Sequence, residues 1–176
     1  YNVSLSVSQA SCTTATSTQQ VVVNSVPTAN AGPDVSICQG ESVVLSSTGG
    51  NGFIWSNGAN TPNITVSPSN TTTYTVTVTG AGGCTNSDDV VVIVNNKPSA
   101  NAGPDVSICQ GESVILNASG GNTYLWSNQS SNASISVSPS ITTTYSVTVT
   151  SSSNCTASDA VVVTVNPVPA ANAGNN

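Results

Sequence analysis

The sequence lacks histidine, arginine and methionine, and its only basic residue is Lys97. Without histidine, the commonest general base and the usual activator of a serine nucleophile are missing. The chain contains 30 serines, but none of them has a histidine or lysine to activate it. These absences predict a protein that is not an enzyme and that needs no cofactor.

The near-absence of positive charge excludes further classes of partner. Nucleic-acid-binding proteins use Lys and Arg to displace counterions from phosphate, and anionic membrane surfaces attract the same side chains. No apolar run reaches the roughly 18 residues that a spanning helix needs, and no signal-peptide pattern opens the sequence. We therefore expect no nucleic acid and no membrane insertion, with any export signal or anchor lying outside this segment.

The most prominent feature that is present is an internal repeat. The fifteen residues ANAGPDVSICQGESV at 29–43 return unchanged at 100–114, and this offset defines a 71-residue period. A fixed period of this kind indicates tandem structural modules. The predicted domains are the last two strands of a preceding module, two complete modules and the beginning of another, at residues 1–26, 27–97, 98–168 and 169–176.

Each module has the pattern of an all-β domain. Ser and Thr account for 53 of the 176 residues, and they alternate with Val and Ile with a period of two. In the first complete module this alternation predicts strands at 34–38, 42–47, 53–56, 63–67, 72–79 and 89–95. Six or seven short strands, a central Trp and a Tyr that opens the penultimate strand are typical of an immunoglobulin-like β-sandwich. The aromatic residues expected in the two cores are Trp55, Tyr74, Trp126 and Tyr145.

Each complete module also contains two cysteines, Cys38 with Cys84 and Cys109 with Cys155. Both pairs are 46 residues apart, which is not the short spacing of a metal site. We predict a disulfide within each module, and an extracellular, oxidising location follows from that pairing. Cys12 is then a second cysteine whose partner lies outside this segment. The alternative is that the cysteines are buried free thiols.

The order of motifs resembles a known class of repeats. AlaAsnAlaGlyProAsp at 29–34 and 100–105 is followed by GlyGluSerVal, then by an aromatic-x-Trp strand and a Tyr-x-Val-x-Val strand. This order resembles the PKD-like and immunoglobulin-like tandem repeats of large bacterial cell-surface adhesins, including gliding-motility adhesins exported by the type IX route. The resemblance implies a spacer module in a surface protein. The acidic Gly-Asp-Gly turn that usually follows the Trp of the PKD pattern is absent here, since Ser56-Asn57-Gly58 occupies that place.

The recurring carboxylates are the only candidates for a metal site. Hard cations prefer clustered carboxylates, and Asp34 and Asp88 recur as Asp105 and Asp159. The interpretation that we favour over calcium binding is structural, with Asp34 and Asp105 in a turn after proline. In that interpretation, Asp88 and Asp159 begin an edge strand. The density of hydroxyl side chains is compatible with O-linked sugars, but the sequence does not determine the glycosylation state.

The short, proline-containing joints between modules favour an extended chain over a flexible hinge. Identical modules on stiff joints predict an elongated rod whose length scales with copy number. The predicted function is a stalk or filament segment of an extracellular bacterial surface adhesin, with copies of the module as partners and an unknown surface or glycan ligand. One alternative is a self-assembling filament subunit that is completed by strands of a neighbour. Another is a carbohydrate-binding accessory module of a secreted enzyme.

Overall fold

The computed structural model describes residues 1–170, and every regular element in that range is a β-strand. The expected beginning of another module at 169–176 therefore lies almost entirely outside the described residues. The strands are β1 (Asn2–Val7), β2 (Ala15–Gln20), β3 (Val35–Cys38), β4 (Val43–Ser46), β5 (Gly52–Trp55), β6 (Asn63–Val66), β7 (Thr72–Thr79), β8 (Thr85–Asn95), β9 (Val106–Cys109), β10 (Val114–Asn117), β11 (Thr123–Trp126), β12 (Ser134–Val137), β13 (Thr143–Thr150) and β14 (Thr156–Asn166).

The two complete repeats have the same arrangement of strands. In the first repeat, one sheet has the order β3-β8-β7-β5 and a second sheet pairs β4 with β6. In the second repeat, the corresponding orders are β9-β14-β13-β11 and β10-β12. The pairs β11–β13, β13–β14 and β10–β12 are antiparallel, whereas β14 pairs with β9 in parallel. Each repeat is thus an immunoglobulin-like β-sandwich built from a four-stranded and a two-stranded sheet.

The alternation of apolar and polar residues explains why these segments pair as sheets. In β13, Val147 and Val149 are fully buried, while the intervening Ser and Thr side chains are at least partly exposed. In the facing sheet, Ile135 and Val137 are buried in the same way. Successive side chains of a strand point to opposite faces, so each sheet presents one apolar face to the other sheet. The predicted inward residues of β7 follow this rule, with Val76 and Val78 buried and Tyr74 half-buried.

A tryptophan lies at the centre of each core. Trp55 and Trp126 are only 1% and 2% exposed. A buried indole needs a partner for its ring N–H, and Trp126 Nε1 donates to the Asn132 carbonyl at 3.0 Å. Both tryptophans are thus buried, whereas Tyr74 and Tyr145 are half-buried. The core of the second repeat consists of Ala102, Ile108, Leu116, Ala118, Trp126, Ile135, Val137, Val147, Val149, Val161 and Val163.

Strand β8 begins four residues before the predicted segment 89–95. Its first residues are polar, and they pair with the end of β7, where Thr79 faces Thr85 and Val76 faces Asp88. Backbone hydrogen bonds extend this hairpin beyond the apolar run. Alternation of apolar residues therefore did not reveal where the strand begins.

The described residues form two compact units by their contacts. The first contains residues 1–36 and 41–93, and the second contains residues 37–40 together with the chain from residue 94 onward. The short segment Ile37–Gly40 belongs by sequence to the first repeat but by contacts to the second unit. This segment lies beside the end of β8, where Gln39 donates its N–H to the Asn95 carbonyl at 2.9 Å, and Asn95 belongs to the second unit.

One core position differs between the repeats in a way that affects stability. Ser47 is 4% exposed, and its hydroxyl has no hydrogen-bond partner in the protein. The corresponding residue of the second repeat is Ala118, which is also buried. Burial of an unsatisfied hydroxyl costs about 1–3 kcal/mol.

We therefore expect Ser47→Ala to raise the free energy of unfolding by about 1–2 kcal/mol, because it removes the hydroxyl without opening a large cavity. The matched variant Ala118→Ser should lower that free energy by a similar amount. Chemical denaturation followed by tryptophan fluorescence measures both changes. Stabilisation by Ala118→Ser would contradict the explanation.

Candidate functional site

Each of the four candidate aspartates accepts a hydrogen bond from a backbone N–H, and these bonds join the last strand of a repeat to the residues that precede its first strand. In the second repeat, Ala102 donates its N–H to Asp159 Oδ2 at 2.8 Å. Val162 donates its N–H to Asp105 Oδ1, also at 2.8 Å. The corresponding bonds of the first repeat, Ala31 to Asp88 and Val91 to Asp34, have the same length.

These hydrogen bonds attach the opening segment of a repeat to its last strand. We use "opening segment" for residues 29–34 and 100–105, the ANAGPD motif. Strand β9 pairs with β14 only at residues 163–166, so the part of β14 before Val163 has an open edge. Asp105 covers that edge at Val162, and Asp159 holds Ala102 against it. The repeated aspartates therefore continue the sheet where backbone pairing stops.

The expectation that Asp159 begins an edge strand is wrong, because Asp159 lies within β14 and pairs with Val147 of β13. The same holds for Asp88, which lies within β8 opposite Val76. Among residues 1–170, no three His, Cys, Asp or Glu side chains are close enough to hold a metal ion together. The carboxylates instead accept hydrogen bonds from backbone N–H groups.

The electrostatic setting of Asp159 reflects its role as an acceptor. The N–H of Ala102, and then that of Ala160, stabilise the charged carboxylate, and they hold the pKa of Asp159 below its usual value of 3.8. Desolvation acts in the opposite direction without reversing the shift. The carboxylate is therefore charged throughout the neutral and mildly acidic range.

The disulfide differs from the predicted pairing. Cys38 is bonded to Cys155, with the two Cα atoms 5.6 Å apart, and Cys12, Cys84 and Cys109 are free thiols. The predicted bonds Cys38–Cys84 and Cys109–Cys155 are therefore wrong. The observed bond joins the first cysteine of one repeat to the second cysteine of the next.

The parallel pairing of β9 with β14 explains the error. Cys109 lies opposite Asn166 at the end of β14, whereas Cys155 immediately precedes the start of β14 at Thr156. A strand rises about 3.3 Å per residue, so these two cysteines are roughly 35 Å apart. A disulfide requires Cα atoms within about 7 Å of each other. The cysteine spacing could not reveal this, because Cys84 and Cys155 occupy the same position of successive repeats and are equally good partners for Cys38 by spacing alone.

The observed bond closes a much longer loop than the predicted ones. On the chain-entropy model, a loop of this size contributes about 5 kcal/mol by restricting the unfolded chain. Cys155 is fully buried, so the bond is shielded on that side. A disulfide in such a position indicates folding in an oxidising compartment.

The aromatic side chains do not form a platform for sugars. Trp55 and Trp126 are buried, and Phe53 and Tyr124 are half-buried. Within residues 1–170, Tyr1 is the one aromatic residue that is exposed. The alternative of a carbohydrate-binding module thus lacks the stacked, accessible rings that such a site uses.

None of the described residues forms a helix with the length and hydrophobicity needed to cross a bilayer. The described part of the chain consists of strands and connecting loops.

Comparisons with known proteins find similarity in fold. No protein-family model matches the sequence, and no curated protein matches it. Similar solved structures include the insect immune protein hemolin, with 12% identity over 94% of this chain and 56% of that one, at a TM-score of 0.45. Extracellular domains 3–5 of Drosophila OTK have 12% identity, cover 94% of this chain and 70% of theirs, and give a TM-score of 0.43. The Ig1-2 module of the Drosophila receptor phosphatase DLAR has 13% identity, covers 80% and 98%, and gives 0.34.

The role of Asp159 can be tested against a control that the chain itself provides. We expect Asp159→Ala to lower the thermal unfolding midpoint, because the buried N–H of Ala102 loses its acceptor. Asp89→Ala should have little effect, since Ala160 occupies that place in the second repeat. Calorimetry of the two variants and the parent chain measures the difference.

The same bond predicts a dependence on pH. A carboxylate whose pKa is depressed in the folded state contributes stability above its unfolded pKa, and this contribution is lost as the pH falls through the folded pKa. The difference between the parent chain and Asp159→Ala should therefore be complete above about pH 4 and shrink below it. A difference that grew on acidification would contradict the assignment.

Proposed function

We propose that this chain is a non-enzymatic, extracellular structural protein, a stalk or filament segment of a bacterial cell-surface adhesin. The observation that carries the proposal is the disulfide from Cys38 of the first repeat to Cys155 of the second. A covalent bond between successive repeats limits how far they can be drawn apart, which is a property that a stalk requires. We further propose that the sequence repeat is the folding unit and that consecutive repeats form a rod.

The surface composition supports the same function. Hydroxyl side chains of Ser and Thr occupy the outer positions of the strands, so the protein is hydrated with few charges. The two sandwiches repeat the same strand pattern and the same aspartate hydrogen bonds. The repeats duplicate structural features rather than a reactive group, and such duplication suits a spacer better than a catalyst. The similarity of the motif order to type IX-exported adhesin repeats agrees with this proposal.

The location can be tested on the cells that produce the protein. Antibodies against this chain should label intact cells by immunogold electron microscopy, with gold particles at a distance from the envelope. Cells in which the gene is disrupted should lose both the label and their attachment to surfaces. Label confined to permeabilised cells would contradict the extracellular assignment.

A second candidate is a filament subunit whose first hairpin is completed by strands from another copy. Hairpin β1–β2 has its apolar side chains Val3, Leu5 and Val7 exposed by 59%, 68% and 62%. The pairing of Leu5 with Ser17 corresponds, one repeat later, to the pairing of Val76 with Asp88. Val76 is fully buried beneath the second sheet of its repeat. The hairpin is therefore the half of a sandwich whose cover is a sheet equivalent to β4–β6.

This alternative predicts association of the 176-residue chain in solution. Analytical ultracentrifugation should show concentration-dependent oligomers whose association constant falls by about tenfold in Leu5→Ser, because that change removes apolar contact area from the interface. The control Val44→Ser alters a side chain that is 59% exposed in β4 and should leave association unchanged. A chain that is monomeric at all concentrations would exclude completion by a neighbouring copy.

A further inference from the structure

The backbone carbonyl of Asn95 marks the place where two cysteines of different repeats meet. Gln39, which directly follows Cys38, donates its N–H to this oxygen at 2.9 Å. Cys155 Sγ lies 3.8 Å from the same oxygen. The carbonyl at the end of β8 thus positions the first cysteine of one repeat beside the second cysteine of the next.

Asn24 occupies the equivalent position one repeat earlier, and its carbonyl oxygen has the contact with the second cysteine. Cys84 Sγ lies 3.9 Å from the Asn24 carbonyl oxygen, much as Cys155 Sγ lies beside that of Asn95. Cys84 is a half-buried free thiol. Asn24 also lines an open surface cavity together with Ala81 and Gly82 of the adjoining turn. The second cysteine is therefore in position at Asn24, which itself lines an open surface cavity.

Asn166 occupies the equivalent position one repeat after Asn95, and its carbonyl oxygen has the hydrogen bond from the residue that follows the first cysteine. Gln110 donates its N–H to the Asn166 carbonyl at 2.9 Å, the same bond that Gln39 makes to Asn95. Cys109 lies opposite Asn166 in the register of β9 and β14, and its thiol is exposed and free. At Asn166 the first cysteine is therefore in position.

We propose that the first cysteine of every repeat bonds to the second cysteine of the repeat that follows it. Cys109 and Cys84 are then halves of two further disulfides, each completed by another repeat of this kind. Cys12, the second cysteine of the partial repeat at 1–26, takes the same type of partner. This proposal rests on the geometry at three equivalent asparagines and does not depend on the proposed function.

The bond forms by thiol–disulfide exchange with an external oxidant. With oxidised glutathione, the two cysteine thiols lose two protons and two electrons in total, and one S–S bond forms between the repeats. The S–S bond of oxidised glutathione breaks, and two molecules of reduced glutathione leave.

The test uses a lengthened chain, residues 1–168 followed by a second copy of 98–168, refolded in a glutathione redox buffer at low protein concentration. This chain has seven cysteines, the original five and two added. The proposal predicts two disulfides, Cys38–Cys155 and Cys109 with the added second cysteine. Iodoacetamide labelling in denaturant, read by mass spectrometry, should therefore count three free thiols.

Two variants of the lengthened chain test whether the number of free thiols depends on Cys109. Cys109→Ser should raise the number of free thiols from three to four, because the added second cysteine loses its partner. The matched control Cys84→Ser should lower the number to two, because it removes a thiol that is already free. Five free thiols in the unaltered lengthened chain would mean that Cys109 stays unbonded and would overturn the proposal. One free thiol would indicate pairing within repeats and would also overturn it.

A second experiment determines whether the partner repeat belongs to another copy of the chain or to the same polypeptide. The 176-residue chain is oxidised at high concentration and separated on a non-reducing gel. Covalent dimers that disappear with Cys109→Ser show that a second copy of the chain can supply the partner. Monomers in this experiment, together with three thiols in the lengthened chain, assign the partner to the same polypeptide.

Discussion

The parallel pairing of the first strand of a repeat with its last strand determines much of the rest of the structure. Because β9 runs in the same direction as β14, Cys109 lies opposite Asn166, far from the turn that contains Cys155. The two cysteines of one repeat are thereby kept apart at opposite ends of a long strand. Covalent closure within a sandwich is impossible in this arrangement, and the cysteine at each end is left available to another repeat.

The same pairing explains the use of the few charged residues. A short first strand covers only the last residues of β14, so an open edge remains beside Val162. Exposed edges are sites of unwanted pairing between chains. Asp105 and Asp159 cover this edge with hydrogen bonds from backbone to carboxylate. Four of the seven acidic residues accept such backbone hydrogen bonds across the two repeats. Most of the few carboxylates of the protein therefore lie between the opening segment and the last strand of a repeat.

The differences between the two copies indicate which positions the fold tolerates. Gly58 and Gln129 occupy the same turn, and both have a positive φ, at 86° and 70°. Glycine adopts this conformation readily, whereas glutamine does so at a cost of about 1 kcal/mol. The turn keeps its shape because hydrogen bonds to the Trp55 and Trp126 carbonyls are present in both copies. By contrast, Gly49 and Gly120 are both glycine, since a Cβ at either would overlap the backbone of Thr28 or Ser99.

The sequence by itself determined the length of the repeat, the all-β class, the inward faces of the strands and the central tryptophans. These features depend on local alternation and on repetition, and both are visible along the chain. Tertiary structure decided the start of β8, the partners of the aspartates and the pairing of the cysteines. Pairing within a repeat and pairing between successive repeats give the same cysteine pattern in a periodic sequence. Only the direction of β9 relative to β14 distinguishes them, because that direction fixes which end of the sandwich each cysteine occupies.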